Sequence, residues 1–397
     1  MKFLLVTDVP PCENYTAGLV LNRLVQFLPN EDIVVCAVVN PQLTPKIPKG
    51  LDGIKRLILQ KPVERVFGSS LPFFGGIISF VYEQIQSIRV SYQIAPKIAK
   101  YAKSHKVDGI WVVLQGQTMI RLACILPKLL SCPLYTQVWD PFGWWLRAHK
   151  VDAWTQRILQ KKFSEAVSQS ISCATASIGM SEEYSKRFNV KNNPVIAGLP
   201  SEFALPPAKQ PHQSSDLIIG MAGQIYARDA WNSLISALNN VGWVINSRSV
   251  RIRLLGDSIS FATQSPLCIE YYGWRNQNDT IKILEECDIL YLPYWFSSEF
   301  EDECKNSFPS KLVTYFATGR PVICHAPEYS SPAQYILSNN AGYVCNSIGA
   351  EEIIKVLSLG LSDNLKYQAY TQNGSNCFKR DFTLDAMKKS FRVFIGT

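Results

Sequence analysis

The chain has 397 residues, 47% of them hydrophobic and 18% charged, with a formal net charge of +8. This length exceeds one ordinary core and predicts two domains of about 200 residues each. The composition excludes a disordered chain. No run approaches the roughly 18 apolar residues of a membrane span, and the opening MKFLLVTDVPP is too short in apolar residues for a secretory leader, so the sequence predicts a cytoplasmic protein.

The 11 cysteines form no C-x-x-C pair and none sits at metal spacing with the four histidines. They read as small buried hydrophobes, and neither a metal nor a cofactor is expected. The charge is uneven. Residues 1–200 hold 23 Lys/Arg against 13 Asp/Glu, and residues 201–397 hold 17 against 19. A basic first half suits an anionic partner, such as a phosphate-bearing acceptor or a membrane surface, or else is a solvated face. It contains no recognised nucleic-acid module, so nucleic acid is not expected as a partner.

In chain order, Phe3–Val6 reads as a strand, Ala17–Leu28 as a helix, and Ile33–Val39, Ile110–Leu114 and Leu134–Val138 as strands with helical material between. Between the second and third strands, residues 65–106 join an apolar patch (Leu71, Phe73, Phe74, Ile77, Ile78, Phe80, Val81) to later basic positions (Arg89, Lys97, Lys100, Lys103, Lys106). Such a stretch can lie in an anionic membrane interface; a core-packed helix followed by a solvated one fits equally. Residues 201–216, SEFALPPAKQPHQSSD, read as a linker. The alternation then restarts, with strands at Leu217–Met221, Ile252–Leu255, Ile269–Tyr272, Ile289–Leu292 and Pro321–Cys324, and helices at Trp231–Leu238, Thr280–Glu286 and Lys311–Ala317. This predicts two doubly wound α/β domains in tandem, binding ligands at the carboxyl ends of their strands.

The most informative string is Phe308–Ile323, FPSKLVTYFATGRPVI. It reads as a loop, a helix whose first turn is Ser310, Lys311 and Leu312, a stop at Gly319 and a strand opened by Pro321. A helix start offers backbone N–H groups and a positive dipole end, which suits an anion. Lys311 adds charge, and Ser310 is placed to cap.

This string resembles the donor-site signature of the retaining GT-B glycosyltransferases of family 4, through Pro309, Ser310, Lys311, Leu312, Tyr315, Ala317, Gly319, Arg320, Pro321, Val322 and Ile323. Gly220–Leu238, Ile252–Gly256 and Glu270–Pro293 resemble further family segments in the right order, the last through Gly273, Leu284, Asp288 and Pro293. Pro10 to Gly18 resembles the first strand-to-helix loop, and Ala176–Phe188 the segment before the domain switch. The resemblance implies a GT-B fold, two Rossmann-like domains facing an interdomain cleft. Residues 1–200 would bind the acceptor and 217–375 the donor, with 376–397 a helical segment returning to the first domain. It also implies retention of configuration and no metal. The partners would be a nucleotide-sugar donor, UDP- or GDP-linked, and an acceptor sugar, lipid-linked sugar or protein.

Carried over by position, the backbone of Ser310 to Leu312 would hold the donor diphosphate, with Lys311 and Arg228 stabilising the leaving phosphate. Thr314 would face the ribose, and Tyr272, Gly273 and Trp274 would border the base. The loop at Gly223 and Gln224 would approach the phosphates, and the loop at Gly18 would close over the sugar. Asn306 and Thr314 stand where the family commonly has two glutamates. Gln224 stands for an arginine, Asp229 for a lysine and Trp139 for a histidine.

Glu299, Glu301, Asp302 and Glu303 lie just before the donor helix, and one of them could contact sugar hydroxyls, although a solvated loop is the plainer reading. Asp140, at a strand end beside Trp139, Trp144 and Trp145, suits a catalytic or sugar-contacting role. His149 and His325 could lie near the cleft, although a lone histidine is more often structural; His105 and His212 read as surface residues. A sugar-nucleotide epimerase on the same architecture, or a non-catalytic sugar-nucleotide-binding subunit, fits the same residues.

Overall fold

A computed structural model describes residues 1–64, 75–256 and 261–396. The chain divides into two compact units, Met1–Val195 with Lys388–Thr397, and Ile196–Met387.

The first unit is built on seven parallel strands: β1 (Phe3–Thr7), β2 (Ile33–Val39), β3 (Lys55–Gln60), β4 (Gly109–Val113), β5 (Leu134–Val138), β6 (Ser172–Thr175) and β7 (Lys191–Pro194), in the spatial order β3-β2-β1-β4-β5-β6-β7. Its helices are α1 (Thr16–Val25), α2 (Gly75–Arg89), α3 (Ala95–Ser104), α4 (Gly116–Leu130), α5 (Phe142–Ala148), α6 (Ala153–Ser168) and α7 (Ile178–Phe188). Every residue of β1, β2, β4 and β5 is buried, because helices cover both faces of a parallel sheet. This is why IVVCAVV shows no polar alternation. Asp152 caps α6 by accepting from the Thr155 N–H, and Ser177 caps α7 through the Met180 N–H.

The strand order reverses at β1, which lies between β2 and β4. At such a switch point the flanking loops diverge and leave a crevice outside the carboxyl ends of the strands.

The second unit repeats the plan with β8 (Asp216–Gly223), β9 (Val244–Ile245), β10 (Arg248–Gly256), β11 (Ile269–Gly273), β12 (Ile289–Pro293), β13 (Val322–His325) and β14 (Tyr343–Cys345). The path is β11-β10-β8-β12-β13-β14, with β9 antiparallel to β10. Its helices are α8 (Arg228–Asn240), α9 (Gln277–Glu285), α10 (Glu301–Asn306), α11 (Ser310–Ala317), α12 (Ser331–Ser338), α13 (Ala350–Ser362) and α14 (Asn364–Asp381); α15 (Leu384–Ile395) ends the chain. Fully buried Asp288 ties three segments together. One carboxylate oxygen accepts from the His212 N–H at 2.7 Å, and the other from the Ile218 N–H at 2.8 Å and Arg248 Nη2 at 2.9 Å.

Several expectations need correction here. The stretch 201–216 belongs to the second unit: Leu205 N–H donates to Ala317 O and Ala208 N–H to Gly319 O. Proline there saves backbone donors in a strap lying against helix α11, rather than marking a free linker. The acidic stretch before α11 is a 3-10 turn (Ser298–Phe300) running into α10, not an irregular loop. His105 is half-buried, its ring tilted against that of Tyr101, while His212 is exposed as expected. His325 is core: Tyr291 Oη lies 2.7 Å from Nδ1, Ser347 O lies 2.8 Å from Nε2, and burial lowers its pKa to about 4.

Of the apolar patch in 65–106, Leu71, Phe73 and Phe74 lie outside the described residues. Among the described residues no helix is long and apolar enough to cross a membrane.

Candidate functional sites in the two units

In the first unit the carboxyl ends of five strands open into a cleft of about 760 Å³. Asp8 follows β1, Asn40 follows β2, Lys61 follows β3, Gln115 follows β4 and Asp140 lies two residues beyond β5. Lys61 Nζ sits 3.2 Å from a Glu64 carboxylate oxygen and 3.6 Å from one of Asp8. The other Glu64 oxygen accepts from the N–H of Thr118 at 3.1 Å and its hydroxyl at 2.9 Å, which fixes the carboxylate on the first turn of α4. Burial raises the Asp8 carboxyl above its ordinary value, against the pull of Lys61. Burial acts to lower Lys61, but Glu64 and Asp8 outweigh it and the ammonium is held above its ordinary value.

One wall is aromatic. Trp145 stacks on His149 with ring centroids 4.1 Å apart, and on Phe142 at 6.1 Å. His149 Nδ1 lies 2.9 Å from Trp145 O, which can only accept, so this nitrogen carries a proton. Trp144 lines the cleft half-buried, and Asp140 stands open at its rim, where the surrounding protein raises its carboxyl.

In the second unit, β8 ends in Gly223 with φ +97°, a conformation that favours glycine. Lys311, in the first turn of α11, folds back onto this turn. Its Nζ donates to Gln224 O at 2.6 Å and lies 4.1 Å from the centre of the Tyr226 ring. Behind the turn stands Gly256, φ +106°, where a Cβ would lie 2.9 Å from Gly223 O. Gly256→Ala is therefore expected to cost about 1–3 kcal/mol, read as a lower denaturation midpoint of the second unit.

The resulting feature is a glycine turn, a helix start and an ammonium at one place at the carboxyl end of central strand β8. This arrangement can hold a phosphate. Tyr226 stacks on Trp295, and Trp295 on Phe300, forming a wall beside it.

No family model matches the sequence, and none of the curated proteins matches it. Solved structures do match along the whole chain. HepE from Anabaena, in complex with UDP and glucose, superposes with a TM-score of 0.62 at 13% identity, covering 99% of each chain. Sucrose-phosphate synthase from Thermosynechococcus elongatus gives 0.64 at 11%, covering 100% of each. The lipopolysaccharide outer core galactosyltransferase WaaB gives 0.63 at 12%, covering 100% of this chain and 99% of that one. The fold is GT-B.

Within the GT-B fold, the sequence-predicted residues distribute as follows. Gly223, Gln224 and Lys311 come together as described. Ser310 opens α11 but Pro309 is its N-cap, with no side-chain cap bond, so Ser310 does not cap. The Leu312 N–H is engaged by Pro309 O at 3.0 Å, so it is not among the amides placed for an anion. Thr314 Oγ1 accepts from Gln277 Nε2 at 3.1 Å. Tyr272 and Gly273 end β11, Tyr272 bonded to Glu270, and Trp274 beside them is exposed. Arg228 is exposed at the start of α8.

Glu299 and Glu301 are exposed, and Glu301 pairs with Lys305; Glu303 and Asn306 are buried, Asn306 bonded to Asp302. Gly18 is not in a loop. It lies inside α1, where a Cβ would meet Cys12 Sγ at 2.1 Å and Pro10 O at 3.0 Å, so its glycine serves close packing of helix on loop. Asp229 also has a structural role of its own. One of its carboxylate oxygens accepts from the Phe296 and Ser297 N–H groups at 2.6 and 3.2 Å, clamping that loop to α8.

Sequence reasoning missed Asp8, Lys61, Glu64, Gln115 and Gln117. The available signal was position: Asp8 and Gln115 follow, or nearly follow, the ends of predicted strands.

Proposed function

We propose that the chain is a glycosyltransferase that moves a sugar from a UDP- or GDP-linked donor to an acceptor, with retention of configuration and without a metal. The observation that carries this reading is Lys311 folded onto the Gly223–Gln224 turn at the start of α11. It combines fixed N–H groups, a helix dipole and a cation where a departing diphosphate gathers charge. The GT-B fold supports it, as do the neighbours, one of which binds UDP and glucose.

In this reading the second unit takes the donor. Ser310 and Lys311 bind the diphosphate, with Arg228 reaching the same phosphates. Thr314 and Gln277 take the ribose, and Tyr272, Gly273 and Trp274 border the base. The first unit takes the acceptor, with Asp140 at the rim of its cleft. The test is to supply donor and acceptor in EDTA and determine the anomeric configuration of the product by NMR. A product of inverted configuration, or loss of turnover restored only by divalent cation, contradicts the mechanism.

A non-catalytic subunit is the second reading, favoured by Thr314, whose hydroxyl is already engaged by Gln277. Binding of nucleotide-sugar without transfer or hydrolysis supports it.

The membrane contact is proposed on a separate observation. Ile78, Val81, Ile85, Ile88 and Tyr92 recur on one face of α2 and the turn after it, and all are exposed, Ile85 by 56% and Ile88 by 59%. Exposed Arg89, Lys97, Lys100, Lys103 and Lys106 follow. An apolar stripe with cations at its end fits the cytoplasmic face of an anionic membrane. Ile85→Glu with Ile88→Glu is expected to abolish flotation with phosphatidylserine vesicles, and unchanged flotation contradicts the contact.

A further inference from the structure

The walls of the first-unit cleft narrow the chemistry of what it holds. Among the described residues lining it, the charged side chains are Asp8, Glu64, Asp140 and Lys61, three carboxylates against one ammonium. That ammonium lies within 3.2 Å of Glu64 and 3.6 Å of Asp8, so its charge is matched inside the protein. A phosphate brought here meets no unmatched cation among the described lining residues and faces carboxylates instead, and like charges at such a site oppose binding strongly.

The same cleft has acceptors in need of donors. Gln117 is 3% exposed, and its Oε1 has no hydrogen-bond partner; the same holds for Gln115 Oε1 and Asp8 Oδ1. A buried acceptor without a donor costs about 1–3 kcal/mol. A ligand that supplies hydroxyl donors recovers that cost, whereas an anion supplies only more acceptors. Asp140 at the rim adds two acceptor oxygens, and Trp144 offers a flat face for the apolar side of a pyranose ring. Donor-seeking carboxylates and amides around an aromatic face are what a ring bearing several hydroxyls requires.

We propose that the first-unit cleft takes an uncharged saccharide or glycoside as acceptor, bound through its hydroxyls to Asp8, Gln115, Gln117 and Asp140 against Trp144, and that it discriminates against phosphorylated sugars. This rests on the reading that the first unit binds the acceptor.

The test is tryptophan fluorescence of the full chain titrated with methyl glucoside, methyl galactoside, N-acetylglucosamine and maltose, and with glucose 6-phosphate and fructose 6-phosphate. Trp144→Phe identifies which response comes from the cleft. At least one neutral sugar is expected to give a response that Trp144→Phe removes, and the phosphorylated sugars are expected to bind about tenfold more weakly or worse. Asp140→Lys is expected to narrow that gap. A phosphorylated sugar that binds at Trp144 as tightly as the best neutral one overturns the proposal, and so does the lack of any Trp144-dependent response to the neutral panel. A parallel titration with UDP and GDP separates the two readings. Nucleotide binding with a preference for phosphorylated sugars removes only the acceptor inference; no nucleotide binding removes the glycosyltransferase reading itself.

Discussion

Lys311→Ala is expected to lower turnover by about 10²-fold or more. Its contacts with Gln224 O and the Tyr226 face are to a neutral carbonyl and a neutral ring, and they aim the ammonium at the Gly223 turn. A leaving diphosphate would develop negative charge at that turn. About 2.7 kcal/mol of transition-state stabilisation corresponds to that 10²-fold loss. Lys311 is half-buried at the protein surface, so its removal is expected to shift the thermal midpoint by no more than about 3 °C. Steady-state kinetics beside a melting curve check both. Lys311→Arg restores charge without the compact geometry and is expected to recover only part of the rate. Unchanged turnover in Lys311→Ala removes the residue from the mechanism.

The largest stability effect is expected at Arg121. On α4 it places Nη1 3.2 Å from a carboxylate oxygen of Glu83 on α2, with the two side chains 3% and 2% exposed. Arg121→Met leaves the Glu83 carboxylate buried without its partner, and breaking such a pair costs about 3–5 kcal/mol. For a unit of this size the thermal midpoint is expected to fall by about 10 °C. The double variant Arg121→Met with Glu83→Gln removes the stranded charge and is expected to recover most of the loss.

The pH dependence has a definite sign. Burial pushes the Glu83 carboxyl up to about 7 from its ordinary 4.5, and Arg121 pulls it partly back. A carboxyl whose folded value lies above its unfolded value binds its proton more firmly when folded. Its contribution to stability is therefore present below about pH 4.5 and is lost as the pH rises through 7. Without Arg121 the folded value rises further. The single variant is then expected to lose stability more steeply than the parent between about pH 5 and pH 8 in denaturant titrations. Parallel pH profiles for parent and variant contradict this account of the pair.

Much of the fold was legible because parallel strands covered on both faces are continuous apolar runs. Ile33–Val39 and Leu134–Val138 carry the same bounds in sequence and structure. Helix α11 was legible because its string is contiguous: Lys311 and Gly223 were both marked from sequence, although the contact from Lys311 to the neighbouring Gln224 spans 87 positions. The first-unit cleft was not legible. It takes single, ordinary residues from five strand ends between Asp8 and Asp140, and only the order β3-β2-β1-β4-β5 brings them together. β3 itself escaped detection, since KRLILQ is only partly buried at the sheet edge, and Lys61 was lost with it. Asp229 reads as a departure from a family lysine, yet it clamps a loop through backbone N–H groups, which residue type alone does not reveal. Gly18 was marked for a loop role because the resemblance placed it there, whereas close packing against Cys12 accounts for the glycine.

The central claim is that the second unit binds a nucleoside diphosphate through the Lys311 turn. The most direct test is calorimetric titration of the full chain with UDP and GDP in EDTA, repeated on Lys311→Ala. The account predicts saturable binding of one of the two, weakened about tenfold or more in the variant. No binding of either nucleotide, or binding that Lys311→Ala leaves unchanged, would contradict it.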